Sequence, residues 1–128
     1  MIKSRYYVYL LKSKVSNRTY VGYSTNVHLR LRKHNGERAG GAKKTRKGRP
    51  WEIVLFVAFP YERTALQYEF CIQHTKKYKR TSGITNKIKI MKALLRQEKI
   101  CSTAPLNSEL KLVIFFSNSK IMDIWNSF

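Results

Sequence analysis

Two short runs constrain the first fifty residues: Tyr6-Tyr7-Val8-Tyr9-Leu10-Leu11 and Thr19-Tyr20-Val21-Gly22. Both are rich in aromatic and β-branched residues, and a polar stretch, 13–18, separates them, which is the pattern of an antiparallel β-hairpin. Side chains alternate along a strand, so Tyr7, Tyr9 and Leu11 share one face, as do Tyr20 and Gly22 on the returning strand. In the simplest register Tyr9 and Tyr20 lie nearly opposite each other, two phenols within reach of one small group. By spacing alone, core aromatics of a small sheet are the preferred reading of both.

The next segment brings further chemistry to that hairpin. Asn26 is placed to cap a helix over 27–35 that Gly36 closes. Val27, Arg30, Leu31 and His34 then fall at i, i+3, i+4 and i+7, on the face that must pack against the strands. An arginine and an imidazole are thereby carried towards the two phenols. Residues 36–50 hold five Gly or Pro and read as a loop, within which Lys43-Lys44-Thr45-Arg46-Lys47-Gly48-Arg49 concentrates five cations. Those cations suit a phosphate-gripping loop better than a merely solvated one or a nuclear-localisation signal.

The apolar run Trp51-Glu52-Ile53-Val54-Leu55-Phe56-Val57-Ala58-Phe59 reads as the central strand, ended by Pro60. A helix follows from Glu62 or Thr64 to about Tyr78, with Ala65, Leu66, Ile72 and Gln73 inward and Glu69 in the middle of that stripe. A carboxylate there must be held by something positive, because desolvating it alone costs several kcal/mol. Two partners fit: one of the many cations, in a salt bridge, or a divalent metal ion. Lys76-Lys77-Tyr78-Lys79-Arg80 gives that helix a basic, aromatic end suited to a nucleic-acid backbone. Residues 84–99 read as an amphipathic helix with Ile84, Ile88, Met91 and Leu95 inward and Lys87, Lys89, Lys92 and Arg96 around the rest. A turn at 101–107, an apolar strand or arm at 110–116 and a helical turn at 121–128 complete the chain.

Charge identifies the class of partner. The 128 residues carry 26 Lys and Arg against 7 Asp and Glu, a formal net charge of +19. Such an excess repels itself unless a polyanion neutralises it, which points to nucleic acid rather than a membrane surface, since no strongly amphipathic basic helix is present. The polar start and the lack of an apolar run near eighteen residues argue for an intracellular protein without a membrane span. Cys71 and Cys101, thirty residues apart, lack the paired spacing of a zinc site, so no zinc is expected and Cys71 reads as a buried reduced thiol.

Tyr7-Val8-Tyr9 and Tyr20-Val21-Gly22 resemble the two halves of a GIY-YIG nuclease motif. Arg30-Leu31-Arg32-Lys33-His34-Asn35-Gly36-Glu37, Gly41-Ala42-Lys43-Lys44-Thr45, Gly48-Arg49-Pro50-Trp51-Glu52 and Ala65-Leu66-Gln67-Tyr68-Glu69 resemble, within that superfamily, the catalytic subunits of the eukaryotic SLX structure-specific endonucleases. The likeness covers roughly residues 5–80, and more loosely 84–116. It implies an α+β fold, a three-stranded antiparallel sheet flanked by helices over 1–80, with a C-terminal helix and extended tail, 81–128, packing on it. It implies Tyr9, Tyr20, Arg30, His34 and Glu69 as the catalytic set, and metal-dependent cleavage of branched DNA such as flaps, forks and four-way junctions. Tyr7 and Val8 depart from the Gly and Ile of the motif's name, while the tyrosine of the catalytic pair is kept.

On that implication Glu69 holds a single Mg2+ or Mn2+ ion and Arg30 grips the scissile phosphate. Tyr9 or Tyr20, its proton loss favoured by nearby cations, takes the proton of the attacking water, and His34 assists. Arg32, Lys33, Lys43, Lys44, Arg46, Lys47, Arg49, Lys76, Lys77, Lys79 and Arg80 are the expected DNA contacts. The family usually meets a scaffold subunit through a RING-type zinc domain, which is not expected in a chain that stops at Phe128 with two cysteines. A nuclear location is expected for a eukaryotic protein or for a virus that replicates in the nucleus. The rival class, a non-catalytic binder of structured DNA or RNA, would use the same charge and aromatics, but has no use for an acid facing a polyanion.

Overall fold

The computed structural model describes residues 5–75 and 83–128, which build one sheet with helices on both faces. The strands are β1 (Tyr6–Ser13), β2 (Thr19–Ser24), β3 (Trp51–Phe59) and β4 (Val113–Phe116), and the helices α1 (Val27–His34), α2 (Glu62–His74), α3 (Ile84–Arg96) and α4 (Ser119–Asn126). All pairings are antiparallel, in the order β2-β1-β3-β4. The expected hairpin and the apolar strand are therefore present, but the sheet has four strands rather than three. The apolar segment near 110–116 supplies the fourth, pairing Val113 to Phe116 with Ala58 to Leu55.

Strand alternation divides the apolar residues between two cores. Val8, Leu10, Val21, Leu55, Val57 and Phe59 face α2, α3 and α4, where they join Ala65, Tyr68, Ile72, Ile88, Met91 and Trp125. Tyr9, Leu11 and Trp51 face the opposite way and meet Val27 and Leu31 of α1. The first core anchors the sheet, and the second is a thin layer in which polar groups can be held.

Two helical faces differ from expectation. On α2 the buried residues are Thr64, Ala65, Tyr68 and Ile72, whereas Leu66 is 40% exposed and does not point inward. Apolar residues surround this helix, so the i, i+3, i+7 set 65, 68, 72 competes with any stripe that includes Leu66, and the full burial of Tyr68 decides between them. Glu69 consequently lies half-buried at the border of the inward face. On α3 Ile88 and Met91 are inward as expected, but Lys87 is only 4% exposed, and the loss of water lowers its pKa. Cys71 is half-buried rather than buried, and both cysteines are free.

The C-terminal segment is tied on by specific polar contacts. Asn107 donates through Nδ2 to the carbonyls of Leu94, Leu95 and Gln97, satisfying the last turn of α3. Lys92 donates through Nζ to the carbonyls of Trp125 and Phe128, placing a cation at the negative end of α4. The Tyr68 hydroxyl donates to the Met91 carbonyl at 2.7 Å and so locks α2 to α3 in the core. Tyr68→Phe removes this tie from a carbonyl that the helix's own hydrogen bonding still pairs, and is expected to lower the unfolding free energy by about 0.5–1.5 kcal/mol. Urea denaturation of both proteins would check it, with an unchanged slope and a lower midpoint as the expected result.

Candidate active site

The site begins with a glycine. Tyr9 pairs with Gly22 across the hairpin, while Tyr20 pairs with Leu11, so the two tyrosines are diagonal neighbours on one face rather than opposite each other. The reason is steric: a Cβ on Gly22 would collide with the hydroxyl and ring of Tyr9, so only glycine lets the Tyr9 ring lie across β2. The Tyr9 and Tyr20 rings are 6.4 Å apart and tilted.

α1 then brings His34 to Tyr9. Its first turn is capped as expected, with Leu29 N–H donating to the Asn26 side chain, and the helix runs its two turns to His34, with Asn35 as its C-cap. His34 is fully buried, its Nε2 lies 2.7 Å from the Tyr9 hydroxyl, and its ring centre lies 4.9 Å from that of Tyr20. Its Nδ1 is 2.8 Å from Thr45 Oγ1, and that hydroxyl in turn donates to the Ala42 carbonyl at 2.8 Å. Because the Thr45 proton is committed to Ala42, its oxygen must accept from Nδ1–H. The neutral imidazole has then no proton on Nε2, and Tyr9 is the donor. The chain of bonds runs Tyr9 to His34 to Thr45 to Ala42.

The basic loop is built to deliver Thr45. A side chain at Gly41 would meet the Lys33 carbonyl, so glycine permits the loop to press against the end of α1. A 3-10 turn at Lys43–Thr45 follows, and Trp51 donates through Nε1 to the Thr45 carbonyl at 2.8 Å. Asn35 fixes the other side, accepting from Trp51 N at 2.6 Å and donating to the Trp51 carbonyl at 3.0 Å.

Burial favours the neutral forms of the two phenols and of the imidazole. Desolvation raises the Tyr9 pKa well above its ordinary value, with Tyr20 adding to the effect and Arg30 opposing it. Tyr20 is likewise raised by burial, against Arg30. The expectation that nearby cations favour phenol ionisation is thus overturned, since desolvation outweighs them. His34 is pushed down to about 4 by burial and by the charges of Arg30 and Arg49. The Glu69 carboxyl is pushed up by burial, with Arg30 pulling it back down. Tyr9, Tyr20, Arg30, His34 and Glu69 therefore share one electrostatic neighbourhood.

The expected DNA contacts differ in their surroundings. Lys43, Lys44, Arg46 and Lys47 are exposed. Arg49 is exposed too, but its Nε donates to the His34 carbonyl at 2.7 Å and so braces the end of α1. Arg32 meets Glu37 at 3.7 Å, and Arg30 donates through Nη1 to the Gly40 carbonyl at 2.6 Å. Lys33 is half-buried, and Lys76, Lys77, Lys79 and Arg80 lie outside the described residues. Thr45 and Trp51 had no role assigned from sequence, because a threonine in a cationic loop and a tryptophan opening a strand carry no periodic signal. Gln73, expected only to face inward, donates through Nε2 to the Val21 carbonyl at 2.8 Å, beside Tyr20.

Among the described residues no three His, Cys, Asp or Glu side chains come together to hold a metal. A lone carboxylate such as that of Glu69 is compatible with a hard divalent ion, which keeps several waters and completes its shell with phosphate oxygens. Among the described residues no helix is long and apolar enough to cross a membrane.

Comparison with known proteins adds an independent finding. Residues 5–89 match the family model described as the GIY-YIG catalytic domain. A structure-specific endonuclease subunit SLX1 homolog of Leishmania major is 53% identical over 72 residues, covering 52% of this chain and 10% of that protein. Structure-specific endonuclease subunit SLX1 of Candida dubliniensis is 34% identical over 138 residues, covering 98% of this chain and 46% of the relative. The corresponding protein of Ajellomyces capsulatus is 32% identical over 151 residues, covering 98% and 36%. The chain thus spans less than half the length of these relatives.

The buried imidazole also has a consequence for stability. Unfolded, His34 titrates near its ordinary 6.5, and folded near 4, so between those values the unfolded state binds more protons and stability falls as the pH drops. The stability advantage of the wild type over His34→Gln should therefore shrink by about 2–3 kcal/mol from pH 7 to pH 4. Denaturant titrations of both proteins across that range would check it, and a pH-independent difference would show that His34 titrates alike in both states.

Proposed function

The chain belongs to the GIY-YIG catalytic-domain family, and from that premise we propose that it is a metal-dependent endonuclease hydrolysing phosphodiester bonds in branched DNA, namely flaps, forks and four-way junctions. The observation that carries the reading is the buried Tyr9–His34–Thr45 chain of hydrogen bonds beside Arg30 and Glu69. A binding protein gains nothing from a proton relay, nor from a carboxylate set against a polyanion. The relatives are subunits by name, so a further chain belongs to this reading. A role in DNA repair and recombination belongs to it as well, in the nucleus where the source is a eukaryotic cell or a virus that replicates there.

In this proposal Arg30 pairs with the nonbridging oxygens of the scissile phosphate, where its planar donors match two oxygens at once. The Tyr9 oxygen accepts the proton of the attacking water while its own proton passes to His34 Nε2, so no free phenolate is required. His34 is a poor acceptor in the free site because burial first, and then the charges of Arg30 and Arg49, hold its pKa down. A bound phosphate neutralises part of that charge, which raises the acceptor strength when substrate is present. Tyr20 packs against the imidazole and confines it. Glu69 holds one Mg2+ or Mn2+ ion, which when bound polarises the phosphate and stabilises the leaving 3′-oxygen.

Two measurements test the reading. Glu69→Gln keeps size and hydrogen-bonding capacity but removes the charge, so single-turnover cleavage of a flap in Mg2+ should fall by at least about 100-fold with binding retained. Near-normal cutting would defeat the proposed mechanism, and a loss matched by a lower melting temperature would assign Glu69 a salt-bridge role instead. Arg46 and Lys47 are exposed on the basic loop. Replacing both by alanine should reduce the slope of log affinity against log salt by about two units, while an unchanged slope would remove the loop from the interface.

A further inference from the structure

A cavity of about 560 Å³ opens beside the catalytic residues, between the start of β2, the basic loop and the end of α2. Tyr20 and Trp51 contribute aromatic surface, Arg18, Lys44 and His74 contribute cationic or ionisable groups, and Gln73 closes one side. The walls are fixed by contacts already described. Gln73 is bonded to the Val21 carbonyl, and Trp51 is bonded to the Thr45 carbonyl and to Asn35. The stem of Arg18 and the Trp51 ring both crowd Gly48, where an added side chain would meet them, so the loop holds Arg18 beside the cavity. Tyr20 is shared with the catalytic site, its ring 4.9 Å from that of His34.

The size lies within the roughly 300–1,000 Å³ typical of small-molecule pockets and suffices for one nucleotide. Aromatic surface with cations at the mouth is the chemistry that binds a single-stranded nucleotide: a ring for the base, positive charge for its phosphates. A helix-only or duplex-tracking surface needs no such recess. Because the cavity shares Tyr20 with the site, whatever nucleotide enters it is a neighbour of the phosphate being cut.

We propose that this cavity receives the nucleotide adjacent to the scissile phosphate, extruded from the base stack. The inference rests on the nuclease reading above and supplies the source of its structure preference. Taking a nucleotide out of a duplex sacrifices its stacking and pairing, and costs least where the nucleotide is already unpaired. Branch points are cut because there the extrusion is nearly free. No element needs to recognise the junction's arms as such.

The test uses the full chain and a set of 5′-flap DNAs. In each, one nucleotide within three positions of the cut is replaced by an abasic tetrahydrofuran residue, and single-turnover kcat/KM is measured. Removing the base that occupies the cavity should lower kcat/KM about 10-fold at a single position, the scale of one aromatic–base stack, with smaller effects elsewhere. His74→Trp, which narrows the mouth at an exposed helix end, should slow the unmodified flap and flatten the scan. A flat scan in wild-type protein that cuts the unmodified flap would overturn the inference while leaving the nuclease reading intact. So would a position-specific effect that persists unchanged in a folded His74→Trp protein. Failure of wild-type protein to cut any branched DNA would instead defeat the nuclease reading itself.

Discussion

The hydrogen bond from the Tyr9 hydroxyl to His34 Nε2, buried and 2.7 Å long, is the contact on which the arrangement of the first fifty residues depends. It requires a glycine at position 22 to leave room for the phenol, a capped helix of two turns to present the imidazole, and a threonine from a distant loop to fix the tautomer. Each requirement has its own support: Asn26 for the helix start, Gly41 for the close approach of the loop, and Trp51 with Asn35 for its far end. An imidazole without these partners would leave two buried polar atoms unsatisfied, at about 1–3 kcal/mol each. The loop is therefore shaped by the site as much as the site is by the loop.

Electrostatics follow from the same burial. Desolvation drives Tyr9 and His34 in opposite directions, one up and the other down, so both rest uncharged at neutral pH. Arg30 and the exposed cations of the loop then set the sign of the local field. A site that keeps its proton-transfer groups neutral and its surroundings positive is prepared for an anion, and the anion itself changes the acid–base balance once bound.

The local features were legible in the sequence. The hairpin, the Asn26 cap, the face shared by Arg30 and His34 and the strand from Trp51 all depend on residues within a few positions of one another. The features that escaped depend on contacts at long range. The register that makes Tyr9 and Tyr20 diagonal needs a glycine opposite Tyr9, and the segment expected as a strand or arm near 110–116 becomes the sheet's fourth strand because β3, more than fifty residues earlier, has a free edge. On α2, Leu66 and Tyr68 are both apolar, and only the packing against Phe59 and α3 shows which of them is buried. Thr45 belongs to a recognisable motif, yet its role follows only from the loop's fold.

The two faces of the sheet divide the work. The face under α2, α3 and α4 carries the larger apolar core, whose aliphatic and aromatic packing gives the strands fixed positions. The face under α1 is thin, and there the sheet offers Tyr9 and Tyr20 to a polar layer. Glu69 comes from the first group of elements yet shares the field of the second, because α2 reaches β2, the edge strand, where Gln73 bonds the Val21 carbonyl. That bond occupies one backbone acceptor on an otherwise open strand edge. It also holds the end of α2 where its carboxylate can face Arg30. The edge of the sheet is thus where groups carried on the two faces of a rigid core come within reach of one another.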